Sequence, residues 1–228
     1  PTRARVVVVG GGVVGASTAY HLTKAGWTDA VLLEQGHLSG GTTWHAAGLV
    51  GPLRATEGGT RLVQYSAQLY AELEAETGLS TGFKEVGYLQ LSTTERRDEA
   101  YRRETAYMRS TGVDKQILSP KEILDIVPLM QVDDVIHGFW TPDEGRANPV
   151  DVTMSMAKGA KMKGAQIFEN TEVIDFVIKD SRVVGVVTER GTIECEKVVL
   201  ASGLWGRELA AKAGVTVPLQ AAEHYYLL

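Results

Sequence analysis

The 228-residue chain has one cysteine, Cys195, so no disulfide can form within it and no Cys-x-x-Cys pair can grip a metal. That fits a reducing compartment, the cytoplasm or a mitochondrial matrix, and leaves Cys195 to serve as a small buried hydrophobe. Positive charge is also short: 23 Lys and Arg stand against 28 acids, a net charge of -5. No basic run is interleaved with aromatics, so nucleic acid is not an expected partner. Long apolar runs are missing as well. The best candidate, Val6 to Ala19, is broken by four glycines and is too short to span a bilayer. It has no signal-peptide cleavage pattern, and no membrane partner is expected. No two histidines have metal-ligand spacing, so no metal is expected.

What remains, 44% apolar and 22% charged residues, suits a globule with a real core, as one α/β domain or two small ones. The first chemical signal is "RVVVVGGGVVGASTAYHLTKAG". It reads as a buried strand from Arg5 to Val9, the turn Gly10-x-Gly12-x-x-Gly15, and a helix through Lys24 closed at Gly26. Gly10 makes the tight turn. Gly12 lets a pyrophosphate approach the helix N-terminus, and Gly15 lets helix and strand pack closely. A second strand, Ala30 to Leu33, ends in Glu34, 19 residues after Gly15, where an acid binds ribose hydroxyls. Glu34 would repel a 2'-phosphate, which leaves NAD or FAD. The 24 residues from Gln35 to Gly58 contain six glycines and few regular-structure signals, a loop that suits the longer body of FAD. Within it stands "GTTWHAAG". Its His45, taken alone, can be a packed core residue, a metal ligand or a residue held against a cofactor.

Further along, helices are expected over Arg61–Thr77, from Glu95 to the stop at Gly112, from Pro120, over Asn148–Lys163 and over Trp205–Ala213. Ser92 with Glu95, and Ser119 with Glu122, read as capping boxes. The eight charges among Glu95 to Glu104 read as a solvated helix face. Strands are expected over Tyr88–Leu91, Val135–Trp140, Gln166–Glu169, Glu172–Ile178, Arg182–Thr188, Gly191–Glu194 and Lys197–Leu200, with a last one entering at "HYYLL". A start at Pro1 and an end in that apolar run suggest a piece of a longer protein. The order suggests a nucleotide-binding domain interrupted by an insertion.

Three separated pieces, "VVVVGGGVVGASTAYHL" with "VLLEQG", "GGTTWHAAGLV", and "KVVLASGLWGRELA" with "VPLQAAEHYYLL", together resemble the flavin-dependent dimethylglycine and sarcosine dehydrogenases of the D-amino-acid-oxidase-like superfamily. The resemblance runs the whole chain. It implies an α/β fold: a Rossmann-like FAD-binding domain of GR2 type at residues 1–82 and 147–217. Residues 83–146 and 218–228 would begin an inserted antiparallel substrate-domain sheet that continues past the chain end. It implies FAD held by Gly10, Gly12, Val13, Val14 and Gly15 in the first turn, and by Glu34 and Gln35 after the second strand. In the loop it implies Gly41, Thr42, Thr43, His45, Ala47, Gly48 and Leu49, and farther on Val173, Ala201, Gly203 and Trp205.

In that family the histidine of "TWHAAG" is bonded to the flavin 8α-methyl, which maps to His45. Such a bond needs an unprotonated ring nitrogen in a loop slim enough for close approach, with Trp44 as a shield from water. The family's "HxY" histidine near the substrate maps to His224, a proton acceptor for the amine or an orienting group. Arg54 is a candidate to face the reduced flavin's charge. Two departures stand out: Leu200-Ala201-Ser202-Gly203 where the family often has "NAAG", and Asn148 where it often has Asp.

The implied reaction is oxidative demethylation of an N-methyl amino acid such as sarcosine or dimethylglycine, with hydride passing from the N-methyl carbon to flavin. The product iminium yields formaldehyde or passes to tetrahydrofolate in a separate C-terminal domain. The electron acceptor is oxygen or an electron-transfer flavoprotein. The rivals are an NAD-dependent dehydrogenase and a flavin-binding module without catalysis.

Overall fold

Four consecutive valines with no polar residue among them suit a strand covered on both faces, and Val6, Val7 and Val8 are each at most 1% exposed. Complete burial of each is worth about 1.5–3 kcal/mol. They lie in β1 (Arg3–Val9), followed by α1 (Val13–Lys24), β2 (Ala30–Leu33), a 3₁₀ turn (Thr42–His45), β3 (Leu49–Val50) and α2 (Glu57–Thr77). Next come β4 (Lys84–Glu85), β5 (Tyr88–Ser92), α3 (Glu95–Ser110), β6 (Gln116–Leu118), α4 (Pro120–Ile126), β7 (His137–Thr141) and β8 (Gly145–Arg146). The chain continues with α5 (Pro149–Met162), β9 (Gln166–Phe168), β10 (Val173–Lys179), β11 (Arg182–Thr188) and β12 (Gly191–Leu200). A second 3₁₀ turn (Gly203–Trp205) and α6 (Gly206–Lys212) close the series. This computed structural model describes residues 1–51 and 56–225.

Two units are distinguished: Pro1–Ala47 with Leu73–Thr81 and Pro149–Leu228, and Gly48–Glu72 with Gly82–Asn148. Residues 48–72 therefore group with the inserted segment rather than with the N-terminal one. Residues 218–225 group with the first unit, where the sequence reading put them with the inserted segment.

The first unit is built on a six-stranded sheet in the order β10-β11-β12-β1-β2-β9. β12, β1, β2 and β9 run parallel, and β10-β11-β12 form an antiparallel meander at one side. Val7, Val9, Val31, Leu33, Val186 and Ile193 share one core cluster with Cys195, whose thiol burial pushes up in pKa. α1 and α5 lie close because Gly159 has no side chain; a Cβ there would stand 2.9 Å from the Tyr20 ring. The Tyr20 hydroxyl donates to Glu76 at 2.5 Å and so ties α1 to the end of α2.

The second unit holds two three-stranded antiparallel sheets, β3-β8-β4 and β5-β7-β6. The Ser119 capping box of α4 is formed as read, with side chain and backbone bonds in both directions. The Ser92 box is not. Thr94 is the N-cap of α3 and accepts from the Arg97 N–H, while Ser92 ends β5 and turns its hydroxyl to Asp98 at 2.8 Å.

The charged run is not wholly solvated either. Asp98, 9% exposed, accepts from Arg102 Nε at 2.7 Å and pairs with His137 Nδ1 at 2.8 Å. Lys115, 1% exposed, pairs with Glu104 at 2.5 Å. Charges read as a surface face are drawn inward because their partners sit on β5 to β7, which helix periodicity cannot reveal.

Other departures are smaller. Gly191–Leu200 is one strand, not two, because Cys195 and its neighbours keep pairing with β1. The segment after β12 winds first as a 3₁₀ turn before α6. Residues 215–225 carry no regular structure, so the strand expected at "HYYLL" is not formed as far as Tyr225; Tyr226 to Leu228 lie outside the described residues. Arg54 does too. Among the described residues no helix is long and apolar enough to cross a membrane.

Candidate functional site

The parallel core of the first unit brings the C-terminal ends of β1, β2 and β12 together, and there the chain opens a cavity of about 810 Å³. That lies within the range of small-molecule and cofactor sites, at the end of the strands where α/β sheets bind ligands. The turn after β1 forms its floor. Gly10 has φ +112°, and a Cβ there would meet the Ala201 carbonyl oxygen at 2.4 Å. Gly15 abuts Gly10 so closely that its Cβ would stand 1.8 Å from the Gly10 oxygen. A Cβ on Gly12 would stand 2.9 Å from Thr43 Oγ1. Gly12 thus makes room for a neighbouring hydroxyl as well as for any ligand.

α1 begins at this turn with no side chain of its own as a cap and no acid in its first turn. The Val13 N–H donates to Thr43 Oγ1 at 3.0 Å. The other first-turn amides and the positive end of the helix dipole favour an anion here.

Glu34 does more than the sequence indicates. Its carboxylate accepts from the Gly11 N–H at 2.6 Å and from the Gly36 N–H at 2.8 Å, so it ties the glycine turn to the turn after β2. A carboxylate has about four acceptor positions, so two remain for ribose hydroxyls.

The cavity wall includes Gly10, Gly12, Val13 and Val14 of the turn, and Glu34 and Gln35 after β2. It also includes Gly41, Thr42 and Thr43 at the 3₁₀ turn, Val173 at the start of β10, and Ala201, Gly203 and Trp205 after β12. Gly15 packs beneath the turn rather than lining it. His45 is exposed and not part of the wall, although Thr43 and Ala46 on either side of it are. Its ring lies 3.8 Å, centre to centre, from that of Trp44, which is itself 55% exposed. Ala47 is exposed outside the wall, and Gly48 and Leu49 fall in the second unit at β3. His224 is exposed in the segment after α6 and does not line the cavity.

Several wall residues escape the sequence reading. Glu208, Leu209 and Lys212 line one side. The four- and three-residue spacings of Glu208 and Leu209 to Lys212 on α6 are the signal that could have found them. Lys212 Nζ donates to the Ile174 carbonyl at 2.8 Å and ties α6 to β10. Ser202, between Ala201 and Gly203, entered the sequence reading only as a departure from the family's pattern. Its Oγ is wholly buried with no hydrogen-bond partner among the described residues.

A flavin dinucleotide fits these residues. The glycine turn is a cradle that side chains would fill, the helix N-terminus faces an anion position, and an uncommitted hydroxyl stands at the wall. Among the described residues no group of His, Cys, Asp and Glu could hold a metal ion.

The chain matches the family described as "FAD dependent oxidoreductase" over residues 5–228. It is 43% identical over 227 residues to the 4-methylaminobutanoate oxidase (formaldehyde-forming) of Paenarthrobacter nicotinovorans, covering all of this chain and 28% of that protein. It is 39% identical over 236 residues to human mitochondrial sarcosine dehydrogenase, covering 100% of this chain and 26% of the relative. The mouse mitochondrial pyruvate dehydrogenase phosphatase regulatory subunit is 38% identical over 230 residues, with the same two coverages. The chain thus spans about a quarter of the length of these relatives. The crystal structure of L-proline dehydrogenase from P. horikoshii superposes with a TM-score of 0.88 at 32% identity, over 94% of this chain and 57% of that one. The α/β fold with its mixed sheet is the fold of that enzyme, an NAD-dependent reading falls, and the chain belongs to the FAD-dependent oxidoreductase family, with FAD as its cofactor.

Proposed function

We propose that this chain is the FAD-binding part of an enzyme that oxidises the carbon–nitrogen bond of a secondary or tertiary N-methyl amino acid, sarcosine or dimethylglycine being the type. The observation that carries it is the convergence, in one unit, of the glycine turn, Glu34 and the His45-bearing 3₁₀ turn around a single cavity. The names of the relatives, one of them formaldehyde-forming, support the N-methyl substrate class. The first unit would be the FAD-binding domain and the second the start of a substrate-binding domain.

FAD, when bound, supplies the two-electron acceptor for hydride from the carbon beside the amine nitrogen. The residues of this chain hold and orient. The first-turn amides of α1 take the diphosphate, Glu34 takes ribose hydroxyls, and Val173, Ala201 and Gly203 shape the wall. His45 is the residue we assign to the covalent link, through a ring nitrogen bonded to the 8α-carbon. His224 is assigned to the substrate, accepting the amine proton at a ring nitrogen or orienting the amine. The acceptor in turnover is dioxygen or an electron-transfer flavoprotein, and a folate-binding domain would lie in another part of the protein.

Rapid mixing of the full-length protein with sarcosine or dimethylglycine under anaerobic conditions should bleach the flavin's visible absorption. His224→Ala should slow this about 10²- to 10⁴-fold if the ring moves the proton. Equal rates in mutant and parent would remove His224 from the mechanism. A second reading, a flavin-binding module with no turnover, is favoured by the likeness to a regulatory subunit. A protein that holds FAD but is bleached by no N-methyl amine would establish it.

A further inference from the structure

The cavity is poor in cations for a site that takes a dianionic diphosphate. Of its described wall residues Lys212 is the one lysine or arginine, and its ammonium is engaged by the Ile174 carbonyl; Glu34, Glu172 and Glu208 add negative charge. Among the described wall residues, neutral donors are therefore the larger set open to an anion. The amides of α1 are one set.

A second set stands beside the turn. Thr43 Oγ1 is already fixed by accepting the Val13 N–H, which leaves its own hydroxyl proton to give. Across Gly10 is Ser202, whose Cα would stand 3.0 Å from a Gly10 Cβ. Ser202 occupies the N-cap of the second 3₁₀ turn, where a serine ordinarily caps, yet its side chain makes no cap bond. The nearby Gly206 offers it only a bare backbone; a Cβ there would be 3.6 Å from Ser202 Oγ. A buried hydroxyl without a partner costs about 1–3 kcal/mol. One side-chain torsion with three staggered positions is enough to swing this one toward the cavity that its residue lines.

We propose that Ser202, beside Gly10, together with Thr43, beside Gly12, binds the diphosphate of the cofactor through its hydroxyl. This rests on the dinucleotide reading of the cavity.

The test uses full-length protein carrying His45→Ala, so that FAD binds reversibly, with affinity read from quenching of flavin fluorescence. Ser202→Ala and Ser202→Cys should each weaken FAD about tenfold or more, the loss of one hydrogen bond to a charged group. ADP, which carries the diphosphate without the flavin ring and is measured as a competitor, should weaken equally. The melting temperature of the flavin-free protein should stay level or rise in Ser202→Ala, because an unpaired buried hydroxyl is removed. A structural role predicts a lower melting temperature alongside the weaker binding. FAD affinity within twofold of the parent in both variants overturns the proposal, and so does a loss seen with FAD but not with ADP. A parent that takes up no FAD overturns the cavity reading itself.

Discussion

Glu34→Ala tests whether the carboxylate is a ligand group alone or also part of the scaffold. Two backbone N–H groups, of Gly11 at 2.6 Å and of Gly36 at 2.8 Å, donate to its two oxygens. Each is a charge-assisted bond, worth about 1.5–3 kcal/mol when formed and desolvated. Both are only partly buried, so water recovers some of the loss, and a combined cost of about 2–4 kcal/mol is expected. For a domain of this size that is a fall of roughly 5–15 °C in melting temperature. The fall must appear in flavin-free protein, followed by circular dichroism, before any cofactor is added. FAD affinity should fall as well, by a further factor for the ribose contact. Glu34→Gln keeps one carbonyl acceptor but turns an amide NH₂ toward the second N–H, so its melting temperature should lie between those of Ala and wild type. An unchanged melting temperature in flavin-free Glu34→Ala would refute the bracing role. Loss of stability with unchanged FAD affinity would refute the ribose contact.

If His45 carries the flavin, acid-precipitated full-length protein should keep its yellow colour, and His45→Ala should release it to the supernatant while still binding FAD reversibly; a colourless wild-type pellet removes the link. Gly15→Ala places a methyl where the Gly10 carbonyl oxygen stands, so it should yield insoluble or flavin-free protein, whereas Gly206→Ala, with 3.6 Å to its nearest neighbour, should purify like wild type. Burial pushes the Asp98 carboxyl up, but hydrogen bonds from Arg102, Ser92 and His137 outweigh it and hold the carboxyl below the usual aspartate value. A depressed folded value means that its stabilisation is complete above the unfolded pKa of about 3.9 and is lost as pH falls through the folded one. Urea unfolding between pH 6 and pH 3 should therefore show a shallower acid loss in Asp98→Asn than in wild type, and parallel curves would show that Asp98 does not titrate in this way.

The β1-α1-β2 unit, its glycine turn and the acid at its end were all readable in the chain. Each depends on contacts within a few residues: a four-valine strand, a positive φ at Gly10, a helix stop at Gly26, whose φ is +87°. The same locality explains the correct reading of the Ser119 capping box, whose partners are three residues apart.

Where partners are distant, the pattern ran out. Nothing around Asp98 signals that Ser92 and His137 will meet it, and a charged helix turn looks the same whether it faces water or a strand. Thr94 rather than Ser92 caps α3 because β5 keeps pairing with β7 through Ser92, and the pairing ladder outweighs a local preference.

For the site, sequence alone determined where the glycine turn and its acid stand, because a turn that opens a helix is local geometry. Only the tertiary structure decided what faces them. The pairing of β12 with β1 carries Ala201 N–H to the Val9 carbonyl at 2.8 Å, which sets Ser202 beside Gly10. The packing of α6 on β10 brings Glu208, Leu209 and Lys212 to the wall. Those residues lie nearly two hundred positions from the turn they complete. Their meeting is fixed by strand order and register in a buried parallel sheet, a property of the assembled core rather than of any one segment.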